Sequence, residues 1–183
     1  MRIIAGRFKG MRLRSSKGGT LRPTVDRVRE ALFSALGSQV EDARVLDLFA
    51  GTGAFGFEAV SRGASSAMLV DVNRHSARVI AETSRRLGTE TQVRVLAMDA
   101  LQAMKHLEDA GELFTIIFLD PPYESEWIAK ILSDPVFPEL LAPEGIFIVE
   151  KAVRSPETTA PPIFRQRFSR KYGGTLVEMF SRA

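Results

Sequence analysis

Apolar and polar positions along this chain follow two rhythms. In "MRLR" (11–14) apolar and basic residues alternate singly, so a strand there places Arg12 and Arg14 on one face. In "TVDRVREALFSAL" the positions Val25, Val28, Leu32 and Leu36 recur at helical spacing behind Thr24, an N-cap residue type, while Arg27 and Glu30 fall off the apolar stripe. The intervening "SSKGGTLRP" reads as a mobile loop. From residue 44 onward, short apolar runs at 44–50, 66–72, 92–98, 113–119 and 145–151 are separated by helix-compatible stretches, notably "AFGFEAVSRG" and "NRHSARVIAETSRRLG". Strands that are apolar throughout and joined by crossover helices predict an α/β protein with a parallel sheet covered on both faces. Two last runs, 163–172 and 175–181, flank Gly173 and Gly174 and predict a terminal hairpin whose last strand runs antiparallel.

Composition narrows the class. With 183 residues, 45% of them hydrophobic, the chain suits one domain with a substantial core: a basic N-terminal extension over 1–22 and a main body over 23–183. No run approaches the ~18 apolar residues of a membrane span, and "MRIIAGRFKGMRLRS" lacks the apolar centre of a secretory signal. A soluble, cytoplasmic protein that makes no membrane contact and acts as a monomer is expected. The absence of cysteine excludes disulfides, thiolate metal sites and thiol nucleophiles. His75 and His106 have no partners at ligand spacing, so no metal is expected. Charge changes the picture more. Residues 1–29 hold nine Lys/Arg against the single acid Asp26, a net +8, and leave the remainder at 16 bases against 21 acids, −5. A basic block beside an acidic body is the footprint of a phosphate-rich partner.

In an open parallel sheet, ligands bind beyond the carboxyl ends of the strands, which makes the polar residues that end apolar runs the informative ones. The first run ends in "DLFAGTGAFG", where Gly51, Gly53 and Gly56 form G-x-G-x-x-G at a strand–helix junction. Asp71 ends the second run twenty residues after Gly51, the separation of a carboxylate that receives ribose hydroxyls; helix capping is its competing role. Asp99 and Asp120 follow the third and fourth runs, so acids cluster after four strands. Asp47, near the turn where a dinucleotide pyrophosphate would approach, argues against that anion. S-adenosylmethionine offers an adenosine for Asp71 and Asp99, and its sulfonium and ammonium suit an acidic pocket.

These motifs resemble the class I S-adenosylmethionine-dependent methyltransferases, and more closely the bacterial family that methylates guanine N2 in small-subunit (16S) ribosomal RNA. The resemblance runs through "RIIAGRFKGMRLRS", "LRPTVDRVREALF", "VLDLFAGTGAFGFEA", "SRGA", "DPPY" and "KYGGT", nearly the whole chain. It implies a Rossmann-like, seven-stranded, mostly parallel sheet with helices on both faces and an N-terminal β-hairpin. It implies cofactor contacts from Asp47, Phe49, Gly51 and Gly53, a ribose contact from Asp71, and adenine contacts from Asp99 and Ala100. Relatives commonly have Glu at the position of Asp71, so the ribose reach is shorter here. The basic residues Arg7, Lys9, Arg12, Arg14 and Arg27 would face ribosomal RNA, either free or within a small-subunit ribonucleoprotein; for Thr24 and Arg27 the methionine carboxylate and the RNA are both open as neighbours.

The loop "DPPY" explains itself through the chemistry of an aromatic amine. Two successive prolines make the turn stiff. The Asp120 carboxylate and the Pro121 carbonyl can then accept the two N–H bonds of an exocyclic amine and favour its tetrahedral form as it attacks. Pro122 keeps the turn rigid, and Tyr123 would stack on the unpaired base. Trp127 is expected to serve packing, and Lys171 and Tyr172 either edge-strand packing or contact with substrate. Competing readings are an adenine N6 or protein-glutamine methyltransferase with the same site, a non-catalytic RNA-binding module of ribosome assembly, and a nicotinamide dehydrogenase, which leaves "DPPY" unexplained.

Overall fold

The computed structural model describes residues 1–14, 23–122 and 126–183, with 23–25 described along the backbone only. Residues 15–22, expected to form a loop, Tyr123 and the side chain of Thr24 therefore lie outside the described residues. Strands β1 (Arg44–Asp47), β2 (Ser66–Val70), β3 (Val93–Leu96), β4 (Phe114–Leu119) and β5 (Leu141–Ala152) pair in parallel. The terminal hairpin of β6 (Phe164–Tyr172) and β7 (Thr175–Arg182) completes a seven-stranded sheet in the order β3-β2-β1-β4-β5-β7-β6. β7 lies between β5 and β6 and is antiparallel to both.

The unbroken apolar runs become intelligible from the two faces of this sheet. Val45, Ile116, Phe118, Ile146 and Ile148 point into one core, whereas Leu46, Ile117, Leu119, Phe147 and Val149 point into the other. The first core is closed by α1 (Pro23–Leu36), α2 (Ala54–Ser61) and α3 (Arg74–Leu87); the second is closed by α4 (Ala100–Asp109), α5 (Trp127–Ser133) and α6 (Val136–Leu140). Each buried large side chain contributes ~1.5–3 kcal/mol by leaving water. Among the described residues no helix is long and apolar enough to cross a membrane.

Two expectations are corrected here. α1 starts at Pro23, so Thr24 sits inside the helix rather than capping it; proline suits this first position because its fixed φ is helical and its missing N–H would have no partner. Val28, Leu32 and Leu36 are buried as expected, and Arg27 and Glu30 are exposed. Arg29, however, does not belong to the basic surface. Only 6% exposed, its Nη2 donates to Arg2 O (2.7 Å) and Asp26 Oδ1 (3.0 Å), and its Nε lies 3.7 Å from Glu58.

Glu58 is wholly buried and accepts the backbone N–H groups of Ile4 (2.7 Å) and Ala5 (3.0 Å) and the Arg62 guanidinium (2.7 Å). It ties the N-terminal segment to α2. That segment is a β-hairpin of minimal form: a single bridge between Arg2 and Arg12, with backbone bonds Ile3 N–H to Met11 O, Gly10 N–H to Ile3 O and Leu13 N–H to Met1 O. Ile3 and Leu13 enter the first core, and Arg12 and Arg14 project outward on either side of Leu13. Met11 stays 41% exposed, so the alternation of apolar and basic positions does not translate fully into burial.

Candidate active site

At the carboxyl ends of β1, β2, β3 and β4 lies a cavity of about 380 Å³. Its wall brings together Phe49, Gly51, Asp71, Asp99, Ala100 and the Asp120–Pro122 turn, residues drawn from four separate strand ends. Apolar sides come from Leu48, Val72 and Trp127, whose ring meets Phe49 edge-on at 5.8 Å. Trp127 thus both packs and lines the cavity.

The strand-end acids reach the cavity for different local reasons. Asp71 bonds the two loops that follow β1 and β2: Oδ2 accepts Gly51 N–H (2.8 Å) and Oδ1 accepts Asn73 N–H (2.7 Å). It is not the cap of α3, a role taken by Asn73, whose Oδ1 accepts His75 and Ser76 N–H. Asp99 does cap α4, but both of its bonds, from Leu101 and Gln102 N–H, use Oδ1. Its Oδ2 is left for another donor.

Asp47 and Gly53 are not on the cavity wall. Asp47 is 1% exposed beneath it, with Oδ1 accepting Phe49 N–H at 3.2 Å. Gly53 has φ of +75° and begins α2, and a Cβ there would lie 2.9 Å from the Phe57 ring and 3.1 Å from Leu69. The fold itself demands that glycine. At Gly51 (φ +55°) a Cβ would meet nothing closer than Phe49 O at 4.0 Å, so this glycine serves the loop conformation and leaves its backbone open to the cavity.

A further acid joins this group without any motif to announce it. β5 pairs Val149 with Leu119 of β4, so Glu150, still within β5, comes next to Asp120 at the end of β4. Burial and the neighbouring Glu150 and Asp47 charges hold the Asp120 carboxyl well above the usual carboxylate range. Burial pushes Asp47 up to about 7. Burial also pushes Glu150 up to about 7, against the pull of the Arg29 guanidinium. Water withdrawn from carboxylates that also repel one another leaves the protonated forms favoured. A cationic ligand bound beside them would favour the ionised forms, which a pyrophosphate would oppose.

Pro121 and Pro122 also form a wall of a second cavity, about 390 Å³, on the other side of the turn. Its far side is the segment Arg154–Thr159, which a buried ion pair fastens to the sheet. Lys151 Nζ donates to Pro156 O (2.7 Å) and Thr158 Oγ1 (2.6 Å) and lies 3.0 Å from Glu178 Oε2; Gln166 Nε2 donates to Glu178 Oε1 at 2.8 Å. Lys171 and Tyr172 end the edge strand β6, where Tyr172 packs against the first core.

Of the basic residues singled out from sequence, Arg7, Lys9, Arg12, Arg14 and Arg27 are all exposed. Arg7 donates to Gln92 Oε1 and lies over the Phe8 ring, and Arg14 pairs with Glu82 of α3 at 3.8 Å.

Comparisons with known proteins agree with this architecture. The family described as Conserved hypothetical protein 95 matches residues 1–181. Ribosomal RNA small subunit methyltransferase D of Escherichia coli (strain K12) is 32% identical over 182 residues, covering 100% of this chain and 90% of that protein. The solved structure of yhhF from Escherichia coli superposes with a TM-score of 0.86 at 32% identity, over 100% of this chain and 97% of the other. The fold extends to SMU.776, solved in complex with SAH, at TM-score 0.71 and 17% identity over 87% of this chain and 50% of that one. With the match spanning hairpin, glycine loop and Asp-Pro-Pro turn alike, the chain belongs to the Conserved hypothetical protein 95 family, alongside ribosomal RNA small subunit methyltransferase D.

Proposed function

We propose that this protein transfers a methyl group from S-adenosylmethionine to the exocyclic N2 amine of a guanine in small-subunit (16S) ribosomal RNA. The observation behind this reading is that one stiff turn, Asp120–Pro122, separates two cavities, one lined by the strand-end acids and one of a size for a flat heterocycle. The donor set suits the cofactor: Asp71 for the ribose hydroxyls, Asp99 with Ala100 for the adenine edge, and the Gly51 backbone and Phe49 beside the methionine part. Asp47, buried below, supports the loop through its bond to Phe49 N–H rather than touching the cofactor. S-adenosylmethionine supplies an electrophilic methyl carbon carried on a sulfonium.

The remaining chemistry belongs to the chain. Guanine's amine is a poor nucleophile because its lone pair is delocalised into the ring. Asp120 and the Pro121 carbonyl accept its two N–H bonds and stabilise the charge that develops on nitrogen, while the double proline keeps both acceptors from turning away. No base needs to act first, since the nitrogen becomes acidic only once methylated. The base enters the second cavity out of its helix, and Tyr123, outside the described residues, supplies a stacking face. The exposed bases of the hairpin hold the RNA backbone.

The same acceptor pair would serve adenine N6, and chemistry at the amine does not separate the two. Calorimetric titration with S-adenosylmethionine, followed by transfer of labelled methyl to 16S ribosomal RNA, tests the enzyme reading. Binding with transfer is expected. Failure to bind would favour a non-catalytic RNA-binding module.

A further inference from the structure

The outer face of α3 has no counterpart in the role given so far to the hairpin. Its exposed residues include Arg74, Arg78, Glu82, Arg85 and Arg86. At about 100° per residue, Arg74, Arg78 and Arg85 fall within about 40° of one another and form a straight stripe, whereas Glu82 and Arg86 lie on its flank. The flank faces the hairpin: Glu82 pairs with Arg14, and Arg86 Nη2 donates to Arg12 O. Glu82 stands four residues from both Arg78 and Arg86, at the spacing for pairing within the helix, yet its partner comes from the hairpin. The side chains of Arg74, Arg78 and Arg85 have no hydrogen-bond or ion-pair partner among the described residues.

Helix energetics does not account for this stripe. Cations in a last turn offset the helix dipole, which suffices for Arg85 and Arg86. Arg74 opens the helix and no acid occupies the first turn, so this cation stands where the dipole is unfavourable by ~0.3–1 kcal/mol, and Arg78, one turn later, gains nothing from the dipole. The stripe also has a direction. It begins three residues after Asp71, at the rim of the cofactor cavity, and ends beside Arg12 and Arg14 of the hairpin.

We infer that the Arg74–Arg78–Arg85 stripe of α3 is a phosphate track for the RNA substrate, continuous with the hairpin and leading its backbone to the mouth of the active site. The inference rests on the RNA-methyltransferase reading and adds to it the path of the substrate. The hairpin is then not an isolated arm: by engaging Glu82 it removes the acid that would otherwise neutralise the stripe. Guanidinium groups spaced along one face suit the regular charges of an RNA strand.

The test compares two variants of equal charge change, Arg78→Gln/Arg85→Gln on α3 and Arg165→Gln/Arg167→Gln on β6, the opposite edge of the sheet. Binding of 16S ribosomal RNA is measured against salt, with S-adenosylmethionine affinity and thermal unfolding as controls. The α3 variant is expected to bind RNA at least tenfold more weakly at low salt, with a salt slope shallower by about 1.4–1.8. It should raise KM for RNA with kcat unchanged and keep wild-type cofactor affinity. An α3 variant that binds RNA as wild type does overturns the track and leaves the enzyme reading intact. An equal loss in the β6 variant overturns it as well, because total charge would then explain both. Absence of RNA or cofactor binding in the wild-type protein would instead refute the underlying reading.

Discussion

Asp120 stands where carboxylates from three neighbouring strands converge, and its ionisation decides how strongly it accepts an N–H bond and stabilises positive charge on nitrogen. Because burial and the Glu150 and Asp47 charges raise its pKa, the ionised, stronger-accepting form is reached only as pH rises past the ordinary carboxylate range of about 4. The kcat/KM profile should therefore lose activity on acidification at a pH well above that range. Asp120→Ala should reduce turnover by several orders of magnitude with little change in cofactor affinity. Asp120→Asn, which keeps a carbonyl acceptor and cannot ionise, should retain part of the activity with a flattened acid limb; an unaltered limb would place the ionisation elsewhere. Asp47 gives a stability prediction. With a folded pKa of about 7 and an unfolded value near 4, the native state holds a proton that the unfolded chain has released. Stability from this group is thus highest below about pH 4 and falls as pH rises towards 7. Asp47→Asn keeps the bond to Phe49 N–H and should flatten that slope, gaining at most roughly 4 kcal/mol at pH 8 in urea denaturation. Equal stability of variant and wild type at pH 5 and pH 8 would contradict it. At this scale the sequence was readable wherever an acid ended an apolar run, as at Asp71, Asp99 and Asp120. Glu150 was not, since only the register of β5 against β4 brings it beside Asp120.

Among the elements, the segment after β5 depends on a buried charge. Lys151 and Glu178 are 5% and 6% exposed, and the lysine holds Pro156 and Thr158 in the wall of the second cavity. Removing one member leaves an unpaired buried charge, so Lys151→Met should cost about 3–5 kcal/mol, whereas Lys151→Met/Glu178→Leu should cost less than the single change. Additive losses in urea denaturation would argue against a coupled pair. The sequence marks the strands well because each is apolar on both faces, and it marks α3 as a helix-compatible stretch, although the cap is Asn73 and not Asp71. It marks the hairpin and the start of α1 poorly. The hairpin has one bridge and borrows its stability from Glu58, a side chain 53 or more residues away, and Pro23 rather than Thr24 begins α1.

For the whole molecule, the charge asymmetry survives in modified form. Arg29 leaves the basic surface for the interior, and α3 adds arginines that the count over residues 1–29 does not include. Arg12→Ala/Arg14→Ala should weaken RNA binding and flatten its salt dependence by about 1.4–1.8 in slope. Stability should change little, since the Arg14–Glu82 pair is exposed. An unchanged slope would remove the hairpin from the RNA interface. The path of substrate across the surface was not legible beforehand, because contact between hairpin and α3 joins residues about 70 positions apart. Central to the account is an aromatic amine held by Asp120 and Pro121. It is tested most directly by mass spectrometry of nucleosides from 16S ribosomal RNA incubated with S-adenosylmethionine and either the wild-type protein or Asp120→Ala. The account predicts N2-methylguanosine with the wild type and none with the variant. A methyl group on any other atom, or the same yield from both proteins, would contradict it.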